Sequence, residues 1–180
     1  MKMDIERFVA QSLGNWRSMR SGHSLAFQQF EDVLSEISIK SIKTNNQIIK
    51  KLIRSSSLRD DSIFSSPFQI EWQAESDWEP DDPSQVSNGS CIIVPIPTNK
   101  TSGQILRSIG YAESVPAESN YKFLEDGTFV LSTNYEQSIT EERIWFVSDN
   151  VRCRSSVLNT SAGSGILQSS FASEVRKIKI

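Results

Sequence analysis

Hydrophobic residues in this chain keep a helical period in only two short stretches. Between Met3 and Leu13, the residues Ile5, Phe8, Val9 and Leu13 fall on one side of a helix, with Asp4 placed to cap it or open its first turn. Between Asn45 and Arg54, Ile48, Ile49, Leu52 and Ile53 share a face while Lys50, Lys51 and Arg54 take the other. Both stretches predict short amphipathic helices. Gly14, Asn15 and Trp16 separate the first from a mixed extended stretch, Trp16 to Phe27, in which Gly22 predicts a bend or bulge.

Elsewhere the period is two. Ile37 and Ile39 alternate with polar neighbours, as do Phe68, Ile70, Trp72 and Ala74, and again Ile105, Arg107, Ile109 and Tyr111. Cys91 to Ile96 is a short continuous apolar run. Glu125-Asp126-Gly127 is a tight-turn signal between Tyr121–Leu124 and Thr128–Asn134, which predicts a hairpin. Ser148-Asp149-Asn150 plays the same part between strands at Glu142–Val147 and Val151–Leu158. Gln168–Ile178 closes the chain with Phe171 and Val175 on one parity. Tyr111 and Trp145 are expected in the core. Roughly eight to ten short strands punctuated by turns favour a meander sandwich or barrel. The whole chain, residues 1–180, is read as one domain.

Charge and composition narrow the function. The formal charge of −3 gives no electrostatic footprint for nucleic acid or an anionic membrane leaflet. No apolar run approaches the roughly 20 residues of a membrane-crossing helix, and the early acids Asp4 and Glu6 stand where a targeting leader is basic and then apolar. The chain is therefore expected to stay in the compartment where it is made. Cys91 and Cys153 lack a C-x-x-C spacing and are expected to be free, buried thiols. His23 is the single histidine, so no metal site is expected. The acidic stretch Glu71 to Asp82 reads in its later part as a solvated loop, or as a docking lip for a partner.

Gly14-Asn15-Trp16 has the G-x-W form found at the first strand of lipocalins, where the Trp plugs one barrel end. A longer succession is more specific: Trp16 to Arg20 with His23 to Phe27, Leu106 to Glu113, Asp126-Gly127-Thr128, Glu141 to Phe146, Asn150 to Ser156, and Ser170 to Arg176. In that order and spacing the chain resembles the S-type phycobiliprotein lyases, the CpcS/CpeS family, over nearly its whole length. The resemblance implies a mostly β fold, a single lipocalin-like antiparallel barrel of about ten strands with a short N-terminal helix and one further short helix. It implies a bilin lyase that binds phycocyanobilin or phycoerythrobilin noncovalently and transfers it, as substrate rather than cofactor, to a cysteine of an apo-phycobiliprotein subunit through a thioether. The implied setting is cyanobacterial cytoplasm, or plastid stroma in an alga; whether the chain works as a homodimer or with a related partner stays open. Ala172 stands where some relatives have a cysteine, and one histidine, His23, precedes Ser24 where relatives often show two.

A bilin carries two propionates, several pyrrole N–H groups and two lactam ends. Its receptor needs cations, one carboxylate and an aromatic wall. On the strand Val151–Leu158, period two sets Arg152, Arg154 and Ser156 on one face and Val151, Cys153, Ser155 and Val157 on the other. Guanidinium forks at alternate positions suit propionates; the alternative is that this face meets water and the apolar face is core. Glu142, across the short hairpin, is the candidate for the pyrrole nitrogens and, with Arg152, the candidate catalytic pair; the alternative is a plain salt bridge from Glu142 to Arg152 or Arg154. Trp72 is the candidate aromatic wall. Arg20 and His23, in the early motif, are candidates at the mouth, and Trp16 is expected to be structural. The rival readings are a bilin carrier without catalysis and a chaperone for the apo-subunit.

Overall fold

Asp4 caps the first helix, α1 (Ile5–Ser12), by accepting the Arg7 backbone N–H at 3.0 Å. The chain then runs through β1 (Gly14–Ser24), β2 (Gln29–Ser41), α2 (Gln47–Ser55), β3 (Phe68–Ser76), β4 (Ser87–Pro97), β5 (Ser102–Arg107), β6 (Ala117–Phe123), β7 (Phe129–Asn134), β8 (Ser138–Ser148), β9 (Val151–Thr160) and β10 (Ile166–Arg176). The computed structural model describes residues 2–25, 27–56, 63–76, 87–108, 117–135, 137–161 and 165–178. Every strand pairs antiparallel with its neighbours in the chain, and β1 pairs with both β2 and β10, which closes a ten-stranded barrel. Closure removes the sheet edges.

One end of the barrel is shut by α1. Phe8 stacks on Phe129 with ring centroids 4.4 Å apart and meets Phe123 edge-on, and Tyr121 stacks on Phe129 in turn. Trp16 is fully buried; its indole N–H donates to the Ser12 carbonyl at 2.8 Å, and the guanidiniums of Arg152 and Arg176 lie 4.5 and 4.2 Å from its ring centroid. Arg176 also donates to the carbonyls of Leu13, Gln11 (2.6 Å) and Asp149 (3.1 Å), tying the C-terminal strand to the α1–β1 corner. Gly14 turns that corner at φ +124°, and a Cβ there would sit 2.7 Å from Arg176 Nη1. Trp16 is thus the structural plug that its motif suggested.

The second helix packs outside. Ile49, Leu52 and Ile53 of α2 bury Ile92, Val94, Ile96 and Leu106 on the outer faces of β4 and β5. Since Ile93 and Ile105 face inward on the same strands, both faces are covered, which is why Cys91 to Ile96 is apolar without alternation. The N-cap of α2 is Asn46, accepting the Ile48 N–H at 2.8 Å, so the helix starts slightly later than its sequence pattern suggests.

Several expectations need correction. The strand β1 runs unbroken through Gly22, with no bulge in its pairing to β2 or β10. The strand β2 begins eight residues before Ile37, in a segment where the inward parity mixes Glu31, Val33 and Ser35 and the outward one mixes Leu34 with Glu36, which masks the alternation. Phe171 and Val175 do share one parity of β10, and that parity faces outward: they are 48% and 51% exposed, while Ala172 and Glu174 between them are buried. Trp145 lies on the outer face, half-buried, its ring 6.1 Å from Phe171, rather than in the core. Cys91 is buried and, like Cys153, outside any disulfide, as expected, but Cys153, on the same outer face as Trp145, is only half-buried. Ile109, Tyr111 and the acidic stretch beyond Ser76 lie outside the described residues.

Burial, with a smaller push from the Asp4 carboxylate, raises the Tyr121 phenol to about 12 from an ordinary 10.0. A raised pKa means the fold favours the neutral phenol, so this contribution to stability is whole below pH 10 and is lost as pH climbs through about 12. Thermal midpoints measured across that window should fall, and Tyr121→Phe should remove the part of the fall that belongs to this residue.

Candidate functional site

Inside the barrel, register stacks the inward side chains in rungs. Ser18 (β1), Glu174 (β10), Arg152 (β9) and Phe146 (β8) form one rung; Arg20, Ala172, Arg154 and Ile144 form the next; Gly22, Ser170, Ser156 and Glu142 form a third. The polar parity of β9 faces in. This decides between the two readings of that strand, and it follows from the inward-facing Glu174, which needs a buried cation beside it.

Arg152 and Glu174 are that pair. The Arg152 Nε–H donates to Glu174 Oε2, the two residues are 4% and 1% exposed, and the Ser18 hydroxyl donates to Glu174 Oε1 at 3.5 Å. Burial pulls Arg152 below the ordinary arginine range while the Glu174 carboxylate pulls it back, and a guanidinium stays charged at neutral pH through such opposing effects. Glu174 and Ser18 were missed by sequence reasoning, although the inward parity of Arg152 and Arg154, carried across one strand, would have pointed to Glu174.

Glu142 is 6% exposed and lines a partly open cavity with Arg107, Arg152 and Arg154, together with the apolar Ile5, Phe8, Ile39 and Phe129. Among the described residues it takes no hydrogen bond and no ion pair. It stands directly opposite Ser156, with Arg154 one rung away and Arg152 two, so the partner of Arg152 is Glu174 and not Glu142. Its neighbour Glu141 faces outward and pairs with Arg143 at 2.8 Å. Arg107 was not singled out from the sequence, because Ile105 and Leu106 beside it make both parities of β5 apolar.

The remaining candidates are scattered around this core. Arg20 points inward at the mouth, half-buried, with Glu31 3.9 Å from its guanidinium. His23 takes the outward parity, which keeps it out of the cavity; it is exposed, with its ring 4.9 Å from that of Phe30. Trp72 stands across from Gly89, on which its ring lies, leaving no room for a Cβ. It lines an open groove with Ile37, Glu36, Glu71, Gln73 and Lys177 rather than the cavity of Glu142. No helix among the described residues is long and apolar enough to cross a membrane.

The family model described as "CpeS-like protein" matches residues 4–177. The chain belongs to the CpeS-like family. It is 48% identical over 176 residues, 97% of its length and 99% of the relative's, to "Chromophore lyase CpcS/CpeS 3" of Trichodesmium erythraeum. It is 43% identical over 153 residues, 84% of its length and 66% of the relative's, to "Putative phycoerythrobilin lyase CpeS" of Microchaete diplosiphon. Among solved structures, the S-type phycobiliprotein lyase CPES from Guillardia theta superposes with a TM-score of 0.83 at 32% identity, covering 99% of this chain and 95% of that one. The lipocalin-like barrel expected from the sequence resemblance is the barrel observed in this CpeS-like protein.

Removing one member of a buried ion pair strands the other. Arg152→Ala is therefore expected to destabilise the fold by about 3–5 kcal/mol, and Arg152→Ala/Glu174→Ala to recover much of that loss. Guanidinium chloride unfolding of the single and double variants measures the coupling.

Proposed function

We propose that this chain is a phycobiliprotein chromophore lyase that holds an open-chain bilin noncovalently in its barrel and attaches it through a thioether to a cysteine of an apo-phycobiliprotein subunit. The observation that carries this reading is Glu142, a buried carboxylate lining a cavity of arginines, in a chain whose relatives bear the names of chromophore lyases. An ionised carboxylate away from water is costly unless donors meet it. The pyrrole N–H groups of a bilin are such donors. Charge on Glu142 favours the protonated bilin, whose ring-A ethylidene carbon is the more electrophilic for it.

Each remaining group has a limited task. Arg154, on the adjacent rung, offers a planar fork to a propionate, and the Ser156 hydroxyl opposite Glu142 offers a donor and an acceptor. Arg152, committed to Glu174 and Trp16, acts by holding the wall in place. The chemistry is an addition: the acceptor sulfur bonds to the ethylidene carbon, the ethylidene double bond is consumed, and the thiol proton is balanced by one delivered to ring A. Nothing leaves and no oxidant is required. Fixing one face and one carbon toward the incoming thiol is the protein's contribution.

Glu142→Gln keeps the shape of the side chain and removes its charge. Bilin affinity is expected to weaken modestly, the red-shifted protonated band to disappear, and single-turnover transfer to an apo-subunit to fall much further than affinity. Glu141→Gln, outside the barrel, should change neither. Paired titration and transfer assays at neutral pH test this, and equal effects at the two positions, or normal transfer by Glu142→Gln, would reduce Glu142 to a structural residue. Binding without any transfer by the wild type would favour a carrier.

The thioether belongs to the acceptor, so the chain's own thiols are spectators. Cys91→Ser/Cys153→Ser is expected to bind and transfer bilin as the wild type does. A bilin adduct on either cysteine that survives denaturation, read by zinc fluorescence on a denaturing gel, would refute a noncovalent complex.

A further inference from the structure

We propose that the outer face of β9 and β10 is a two-fold interface with a second copy of this chain, a reading that stands apart from bilin binding and does not depend on it. The outward side chains of β9 across from β10 are Val151, Cys153, Ser155 and Val157, and their partners on β10 include the exposed Phe171 and Val175. Neither row carries a charge. Trp145 on β8 and the exposed Met19 on β1 continue the rung of Cys153 on either side. Other parts of the outer wall are treated differently. The helix α2 lies over β4 and β5, while β2 and β3 carry ion pairs on their outer face, Lys40 with Glu71 at 2.7 Å and Lys177 with Glu36 at 2.8 Å. Among the described residues, β9 and β10 have neither a helix over them nor a charge on their outer parity. An exposed apolar face of this kind marks a contact surface.

A two-fold contact brings each patch against itself, so a charged patch would meet its own sign. An uncharged centre removes that repulsion. The charges at its edges are already balanced within the chain, Glu141 by Arg143 at 2.8 Å on β8 and Glu36 by Arg17 at 3.7 Å between β2 and β1. These flanking pairs leave the rim no net charge with which to select a partner of different composition. The size fits as well. The 10 residues of β9, at roughly 3.3 Å each, and the four strands β8, β9, β10 and β1, at roughly 4.8 Å each, span about 600 Å². Two copies would then bury about 1,200 Å² before side-chain relief is counted, which reaches the range of stable interfaces. The face is also the back of the wall whose lumen side carries Arg152 and Arg154, so pairing there sets two barrels back to back with both lumens clear.

Sedimentation of the intact chain over a concentration series tests this. The wild type is expected at twice the chain mass of 20.3 kDa. Phe171→Glu is expected to raise the dimer dissociation constant roughly a hundredfold or more, because each copy then buries an unpaired charge. Ile48→Glu, which adds the same charge on the exposed edge of α2, should leave the dimer intact. Cys153 reports on the face without any substitution: its alkylation by iodoacetamide, located by mass spectrometry, should slow as the wild-type concentration rises, while the buried Cys91 reacts slowly throughout. That readout decides the matter if Phe171→Glu fails to fold. A wild type that stays monomeric at roughly 100 µM, where an interface of this size is expected to have formed, overturns the proposal. So does a dimer that survives Phe171→Glu, that is broken by Ile48→Glu, or that leaves Cys153 unprotected. Protection of Cys153 that appears only when an apo-phycobiliprotein subunit is added gives the face to the acceptor and overturns it as well.

Discussion

The Arg152 guanidinium is gripped from two sides, by the Glu174 carboxylate and by the face of Trp16, and the interior of the barrel is arranged around that grip. Glu174 is nearly inaccessible to water, so its charge is tolerable only with a cation in contact. Seating that pair on an indole ties the charged part of the cavity to the apolar plug at the closed end. The plug is held in its turn: α1 lays Phe8 on Phe129, Trp16 bonds back to Ser12, and Arg176 gathers the carbonyls of the α1–β1 corner. Above the pair the wall presents Arg154, Ser156 and Glu142 in register, because antiparallel pairing of β8, β9 and β10 leaves one parity for the lumen.

That parity is the reason the strands were partly misread from their composition. In most half-buried strands the apolar side is core, and Trp145 was assigned on that rule. Here the lumen of the β8–β9–β10–β1 wall is polar, so the apolar parity is displaced outward. Local signals that owe nothing to parity were read correctly: the Asp4 cap, the Asp126-Gly127 turn and the apolar face of α2, apart from Ile48 at its exposed edge, each depend on residues close in sequence. The long strand β2 was not, since its outward positions mix Leu34 with Glu36 and its inward ones mix Val33 with Ser35.

The site divides along the same line. Arg152, Arg154, Ser156 and Glu142 were legible because two adjacent strands and a tight turn fix their relative positions. Ser18, beside Glu174, and Arg107, on the cavity wall, come through pairings away from the β8–β9 hairpin, whereas Glu174 lies one strand from Arg152 and follows from its parity. His23 and Trp72 were placed by motif and residue type; His23 falls on the outward parity of β1, and the Trp72 ring lies over Gly89 and lines the open groove.

A barrel that buries Arg107 and Arg152 within and carries Met19, Val147, Phe171 and Val175 at 48–63% exposure on its outside has a surface less polar than its sequence suggests. With a formal charge of only −3, self-repulsion does little to keep such surfaces apart. Sulfate and phosphate, which strengthen the burial of apolar surface, should therefore salt this molecule out early, and crystals or gels grown from such salts would bring the outer faces of β8, β10 and β1 together first.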